Sequence, residues 1–143
     1  MDKNKRDEII SAYGARLAAL TSPYGRESEL PHSKEIIVEA LAEAIVYETN
    51  SEKLNALERV FLMLDQSVSD AEYVVVQRYE KALADRAVLL GSDSATSANY
   101  IKDFAAIAAQ MQPIIDRCTA QIVGRTRQLA KLHAIREDVM RRQ

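Results

Sequence analysis

The chain has 143 residues, 48% of them hydrophobic and 28% charged, with a formal net charge of −2. That length and balance fit a single all-helical domain over 1–143 with its own core, and they exclude a disordered chain. Four glycines, three prolines and no tryptophan leave too few turn residues for a sandwich or barrel, and the single cysteine, Cys118, excludes an internal disulfide framework and fits a reducing, cytoplasmic setting.

The opening MDKNKRDE has no apolar core and does not read as a secretory signal. The first helix is expected over 7–20, where Ile10, Tyr13, Leu17 and Leu20 recur at helical spacing. The stretch TSPYGRESELPHSKEII then holds two of the three prolines and one of the two histidines. Ser22-Pro23-Tyr24-Gly25 fits a type I turn, with proline second and glycine fourth. The connection is long for a bundle. Tyr24 and Leu30 are expected to pack over the bundle end, whereas exposure beside Arg26 and His32 would make it a recognition loop.

A second helix is expected over 32–48, started either by Pro31 in its first turn or by Ser33 as its cap. Its face carries Ile37, Leu41, Ala44 and Ile45, and Glu35, Glu39 and Glu43 share another face. Thr49 with Glu52 fits a capping box opening a third helix to about 66. Leu54, Leu57, Phe61 and Leu64, widened by Val60, Leu62 and Met63, make that helix apolar on most sides, so it belongs in a core or an interface.

Ser69 with Glu72 is a second capping box, opening a fourth helix to about 90. The run YVVV favours a strand by propensity, but the cap and the spacing of Val75, Tyr79, Ala82 and Leu83 outweigh it. Gly91 supplies a natural helix end, and SDSATS reads as a short polar linker. The last helix is expected from 96 or 97. A heptad-like series runs from Phe104 through Ala108, Met111, Ile115, Cys118, Ile122, Arg125, Leu129, Leu132 and Arg136 to Val139. Pro113 falls inside it and is expected to kink or tightly break the helix. The longest uncharged run, 104–115, is too short to cross a bilayer, which needs about 20 residues. The expected fold is therefore all-α: a soluble bundle of five or six helices with a long, Pro-kinked C-terminal helix.

Candidate chemistry is sparse. Glu29-Leu30-Pro31-His32 has ExxH spacing, but Pro31 breaks the helix that a di-iron site needs, and no second copy exists. Cys118 on an apolar stripe reads as a buried, inert thiol. No glycine-rich phosphate loop follows a strand. No cofactor and no metal site are expected.

Charge is unevenly spread: residues 29–80 hold eleven acids and four bases, residues 124–143 six bases and two acids. Arg125 and Arg136 occupy stripe positions, and Arg86 lies near the stripe of the fourth helix. A buried unpaired charge is costly, so each must snorkel, pair with an acid of the central region, or meet an anion or partner. Gly124 beside Arg125 suggests a close helix approach.

These features favour a non-enzymatic interaction protein, an adaptor, chaperone-like or regulatory bundle, working as a homodimer and on another protein through helix faces. The dimer expectation rests on the wide apolar surface of the third helix and the far end of the last. Two alternatives stand beside it: nucleic-acid binding by the basic helix 124–143, interrupted by Glu137 and Asp138 and lacking aromatics, and a small-anion pocket lined by inter-helix arginines.

Overall fold

Capping, more than apolar spacing, decides where the second, third and fourth helices begin. The computed structural model describes residues 1–89 and 94–143, without the side chains of 87–89 and 94–97. Among the described residues there are five α-helices: α1 (Lys3–Ala19), α2 (Lys34–Tyr47), α3 (Ser51–Met63), α4 (Asp70–Leu89) and α5 (Ser94–Arg141). Short 3₁₀ turns lie at Glu27–Glu29 and Leu64–Gln66. The fold is an all-α bundle with a long C-terminal helix.

α1 starts a turn earlier than its apolar spacing indicates, because its first turn is almost wholly solvated and leaves no hydrophobic signal. Ser33, not Pro31, caps α2: its hydroxyl accepts from the Ile36 amide at 3.4 Å. Asn50, not Thr49, caps α3, its Oδ1 accepting from the Lys53 amide at 3.0 Å. Asparagine is the stronger N-cap, and Glu48 satisfies the Thr49 and Asn50 amides at 3.1 and 3.0 Å, so the Thr49 amide that Glu52 would serve in the expected Thr49–Glu52 box is already taken. The Ser69–Glu72 box forms: Ser69 N donates to Glu72 Oε1 at 3.1 Å and Glu72 N to Ser69 Oγ at 3.3 Å. The YVVV run is helical within α4. Gly91, proposed to end that helix, lies outside the described residues, and the last four residues of the expected linker, 94–97, already belong to α5.

α5 continues through Pro113 without a break, and at about 1.5 Å per residue its 48 residues span about 72 Å. The heptad-like positions are its inward face: Met111, Cys118 and Leu129 are buried, and the others from Phe104 to Val139 are half-buried. The charged Arg125 and Arg136 share that face.

Two cores sit along α5. One gathers Ile9 and Tyr13 of α1, Ile37, Leu41 and Ile45 of α2, Phe61 of α3, Leu64 and Leu129. Full burial of such side chains stabilises by roughly 1.5–3 kcal/mol each. The other gathers Val68, Val76, Met111, Ile114 and Cys118. α3 spends most of its apolar width inside the chain, since Leu54, Leu57, Val60 and Leu62 pack on the first core. Leu129 and Leu132 do the same for the last third of α5. Met63 of α3 and Ile135 of α5 remain 40% and 51% exposed. Beyond the second core, α4 and the first part of α5 continue as a two-helix arm. There Tyr79 and Tyr100 stack on Phe104 at 5.8 and 6.0 Å, and the Tyr100 hydroxyl donates to the Ala82 carbonyl. No helix of the described residues is long and apolar enough to cross a membrane.

Candidate interaction surfaces

The long connection between α1 and α2 is held by its own backbone. Glu27 N donates to Val68 O at 2.8 Å and Val68 N to Gly25 O at 2.9 Å, making an isolated parallel bridge at Arg26 and Val68. Arg16 Nη2 donates to the Arg26 carbonyl at 3.1 Å. The stretch expected as a type I turn at 22–25 is a bend: Ser22 Oγ accepts from the Tyr24 amide at 3.1 Å, and the Gly25 carbonyl accepts from Val68 N.

Tyr24 packs on the second core and Leu30 on the first, as a covering loop requires. Burial pushes the Tyr24 phenol above its ordinary value, with lesser contributions from Cys118 and Tyr79. Arg26 lies outside, 4.9 Å over the Tyr73 ring and 3.3 Å from Glu29. His32 is half-buried in a shallow depression with Glu27, Pro31 and Lys34. Tyr24, Arg26 and His32 therefore have three different surroundings and do not form one site.

The arginines are likewise dispersed. Arg125 donates from Nε to Asp65 Oδ2 at 2.6 Å and from Nη2 to Oδ1 at 3.3 Å. Its Nη1 donates to Gln128 at 2.7 Å, and its guanidinium lies 5.4 Å over the Phe61 ring. Arg86 lies 5.9 Å over the Phe104 ring on the arm. Arg136 is half-buried, and its Nη1 is buried without a hydrogen-bond partner. Arg136 stands about 16 Å along α5 from Arg125 at about 1.5 Å per residue, so the three do not line one pocket. Gly124 marks no close approach: a Cβ there would meet nothing within 4 Å.

Asp65 is the residue that sequence reasoning missed. It is 7% exposed, and Lys34 Nζ lies 3.9 Å from it in addition to Arg125. The Cys118 thiol faces its carbonyl at 3.7 Å. Burial pushes that thiol above its ordinary value, and Arg117 only partly offsets this. The available signal was a lone acid after Val60-Phe61-Leu62-Met63-Leu64, answering one of the two bases on the α5 stripe. A second cross-helix pair joins Arg117 to Glu72 at 3.0 and 3.1 Å. Burial alone would raise the Glu72 carboxyl, but the Ser69 amide, the Arg117 guanidinium and the Ser69 hydroxyl together hold it below its ordinary value. Of the α2 glutamates, Glu35 and Glu39 are exposed, and Glu43 meets the Met1 amino group at 3.5 Å.

The arm presents a different surface. Ile101 is 66% exposed and Leu83 42%. Because Tyr100 contacts Ala82, Leu83 and Ile101 stand at one level of the arm. Along the seam between its helices run two adjoining depressions of about 350 and 370 Å³. Ala82, Phe104 and Ile107 are their apolar part. Arg78, Lys81 and Asp85 of α4 border one side, with Lys81 and Asp85 paired at 3.5 Å, and Asp103 of α5 borders the other.

Comparison of the chain with known protein families, with curated proteins and with solved structures returns no match.

Proposed function

We propose that this chain is a non-enzymatic interaction protein that works as a homodimer joined through the α4–α5 arm. The observation that carries the reading is the seam of the arm. Two helices cover each other on one side only, and most helical stability comes from tertiary packing of an apolar face. The seam has an apolar floor, with Arg78 and the Lys81–Asp85 pair on the α4 border and Asp103 on the α5 border. A second arm laid on it with α4 against α5 sets Arg78 on Asp103 twice, as a two-fold interface requires. Two such arms form a four-helix bundle. The dimer would leave other helix faces free for a further protein.

Light scattering across a concentration series tests it. The chain should have a dimer mass. Arg78→Asp with Lys81→Asp should give a monomer, as should Asp103→Arg alone. Mixing the two variants should restore dimers, because each then offers the other opposite charges. A monomer at all concentrations, or a dimer indifferent to these reversals, removes the arm as the interface.

A further inference from the structure

A groove between α1 and α3 is used neither by the arm nor by the Asp65 contacts. Its volume is about 520 Å³, within the roughly 300–1,000 Å³ range of small-molecule sites. Ile10 of α1, Ala44 of α2, and Leu57 and Val60 of α3 make it apolar.

Its charges collect at one end. α1 begins where α2 finishes, as the contact of the Met1 amino group with Glu43 shows, and α3 begins shortly after α2 ends. Lys3, Arg6, Asp7, Glu48 and Lys53 therefore share that end, and Gly14 and Val60 mark the other. Both carboxylates there are engaged. Asp7 accepts from Arg6 Nε at 3.5 Å, and Glu48 from the amides of Thr49 and Asn50 at 3.1 and 3.0 Å. Lys3 and Lys53 have no ion-pair partner among the described residues. The positive end of the α3 dipole points the same way.

Gly14 is the second observation. Glycine inside a helix is destabilising relative to alanine, and close approach of a neighbour is a common reason to keep one. Here a Cβ would meet nothing within 4 Å. What the missing side chain leaves open is the groove.

We propose that this groove binds a single-chain anionic amphiphile, a medium-chain carboxylate, with its alkyl chain along Ile10, Gly14, Leu57 and Val60 and its carboxylate at Lys3 and Lys53. The span from Lys3 to Gly14, about 16 Å at about 1.5 Å per residue, limits the chain length. The site is independent of dimer formation through the arm.

The test is an amide chemical-shift titration of the full chain with laurate below its micellar concentration, run beside dodecyltrimethylammonium, which carries the same alkyl chain and the opposite head charge. Laurate should shift the α1 and α3 amides along the groove saturably, and the cation should bind at least about tenfold more weakly. Gly14→Leu fills the groove while improving helix propensity, so it should abolish the laurate shifts in a folded protein. Lys3→Glu with Lys53→Glu, both at solvated positions, should weaken laurate by about tenfold or more and strengthen the cation. Equal binding of the two amphiphiles overturns the proposal, as does undiminished laurate binding by the Gly14→Leu protein. Groove shifts on self-association without any response to laurate give the groove to a second copy, and also overturn it.

Discussion

Arg125 of α5 and Asp65 at the end of α3 meet at 2.6 Å, with both side chains largely withdrawn from water at 14% and 9% exposure. The contact sits between the two cores: Phe61 of the first lies under the guanidinium, and Cys118 of the second touches the Asp65 carbonyl. An arginine on an apolar stripe is thus answered by a single acid from the same chain. Such a pair contributes little against an apolar replacement, but Arg125 without Asp65 is an uncompensated buried charge, whereas Asp65 without Arg125 keeps Lys34 at 3.9 Å.

Asp65→Ala should therefore cost about 3 kcal/mol or more of unfolding free energy, and Arg125→Met less, because Lys34 remains 3.9 Å from Asp65. The double variant should cost clearly less than the sum of the two. Denaturant midpoints at constant slope read all three. Additive losses would mean that the two residues act separately.

Tyr13 is fully buried, and its hydroxyl has no hydrogen-bond partner. Burial pushes the phenol from 10.0 up to about 12; Arg16 opposes this and Asp65 adds to it. The folded value lies above the unfolded one, so folding favours the neutral form. Stability is intact below pH 10 and is lost as the pH rises towards 12, by roughly 3 kcal/mol in all. Tyr13→Phe should remove that alkaline loss. At neutral pH it should leave stability unchanged or raise it by about 1 kcal/mol, because it deletes a buried polar group that nothing satisfies. Thermal unfolding of both proteins across that range decides it, and a Phe variant with the same alkaline loss would refute the assignment.

Glu72 behaves in the opposite sense. Its carboxyl is held below the ordinary value, so its contribution is present above the unfolded value and is lost as the pH falls through the folded one. Both partners of the Glu72–Arg117 pair are about one-third exposed, at 31% and 35%, so the contribution of Arg117 should be below about 1 kcal/mol. Arg117→Gln should reduce stability at neutral pH by that amount, and the difference should shrink as the pH falls through the folded value. An equal loss across the whole pH range would assign the effect to packing.

Helices were legible wherever one side faces a core. The α5 stripe could be read from Phe104 to Val139 because burial repeats at helical spacing across Pro113. Where hydrophobicity carries no message, the sequence was silent or misleading. The solvated first turn of α1 offered no apolar signal. The choice between Thr49 and Asn50 turned on which amides Glu48 had already taken. The bridge between Gly25 and Val68 uses main-chain groups only, which no side-chain pattern announces. Asp65 looked like one acid among eleven in its region, because its burial depends on a partner 60 residues away. The surface character of the arm depends on how far α4 runs alongside α5, a tertiary fact.

Gly25 and Gly124 should respond oppositely to the same substitution. A Cβ on Gly25 would lie 2.4 Å from Arg16 Nη2 and 2.8 Å from Leu20 Cδ1. Arg16 would have to release the Arg26 carbonyl, a charge-assisted bond whose loss is worth about 1.5 kcal/mol. Gly25→Ala should cost about that much, and much less in a protein already carrying Arg16→Ala, where only Leu20 has to adjust. Gly124 is inside α5 with open space around it, so Gly124→Ala should stabilise by about 0.5–1 kcal/mol through helix propensity. Denaturant midpoints of the parent and the four variants suffice. If Gly25→Ala costs as much with Arg16 removed as with it present, the loop is held by its bridge to Val68 alone, and the Arg16 contact contributes nothing to its position.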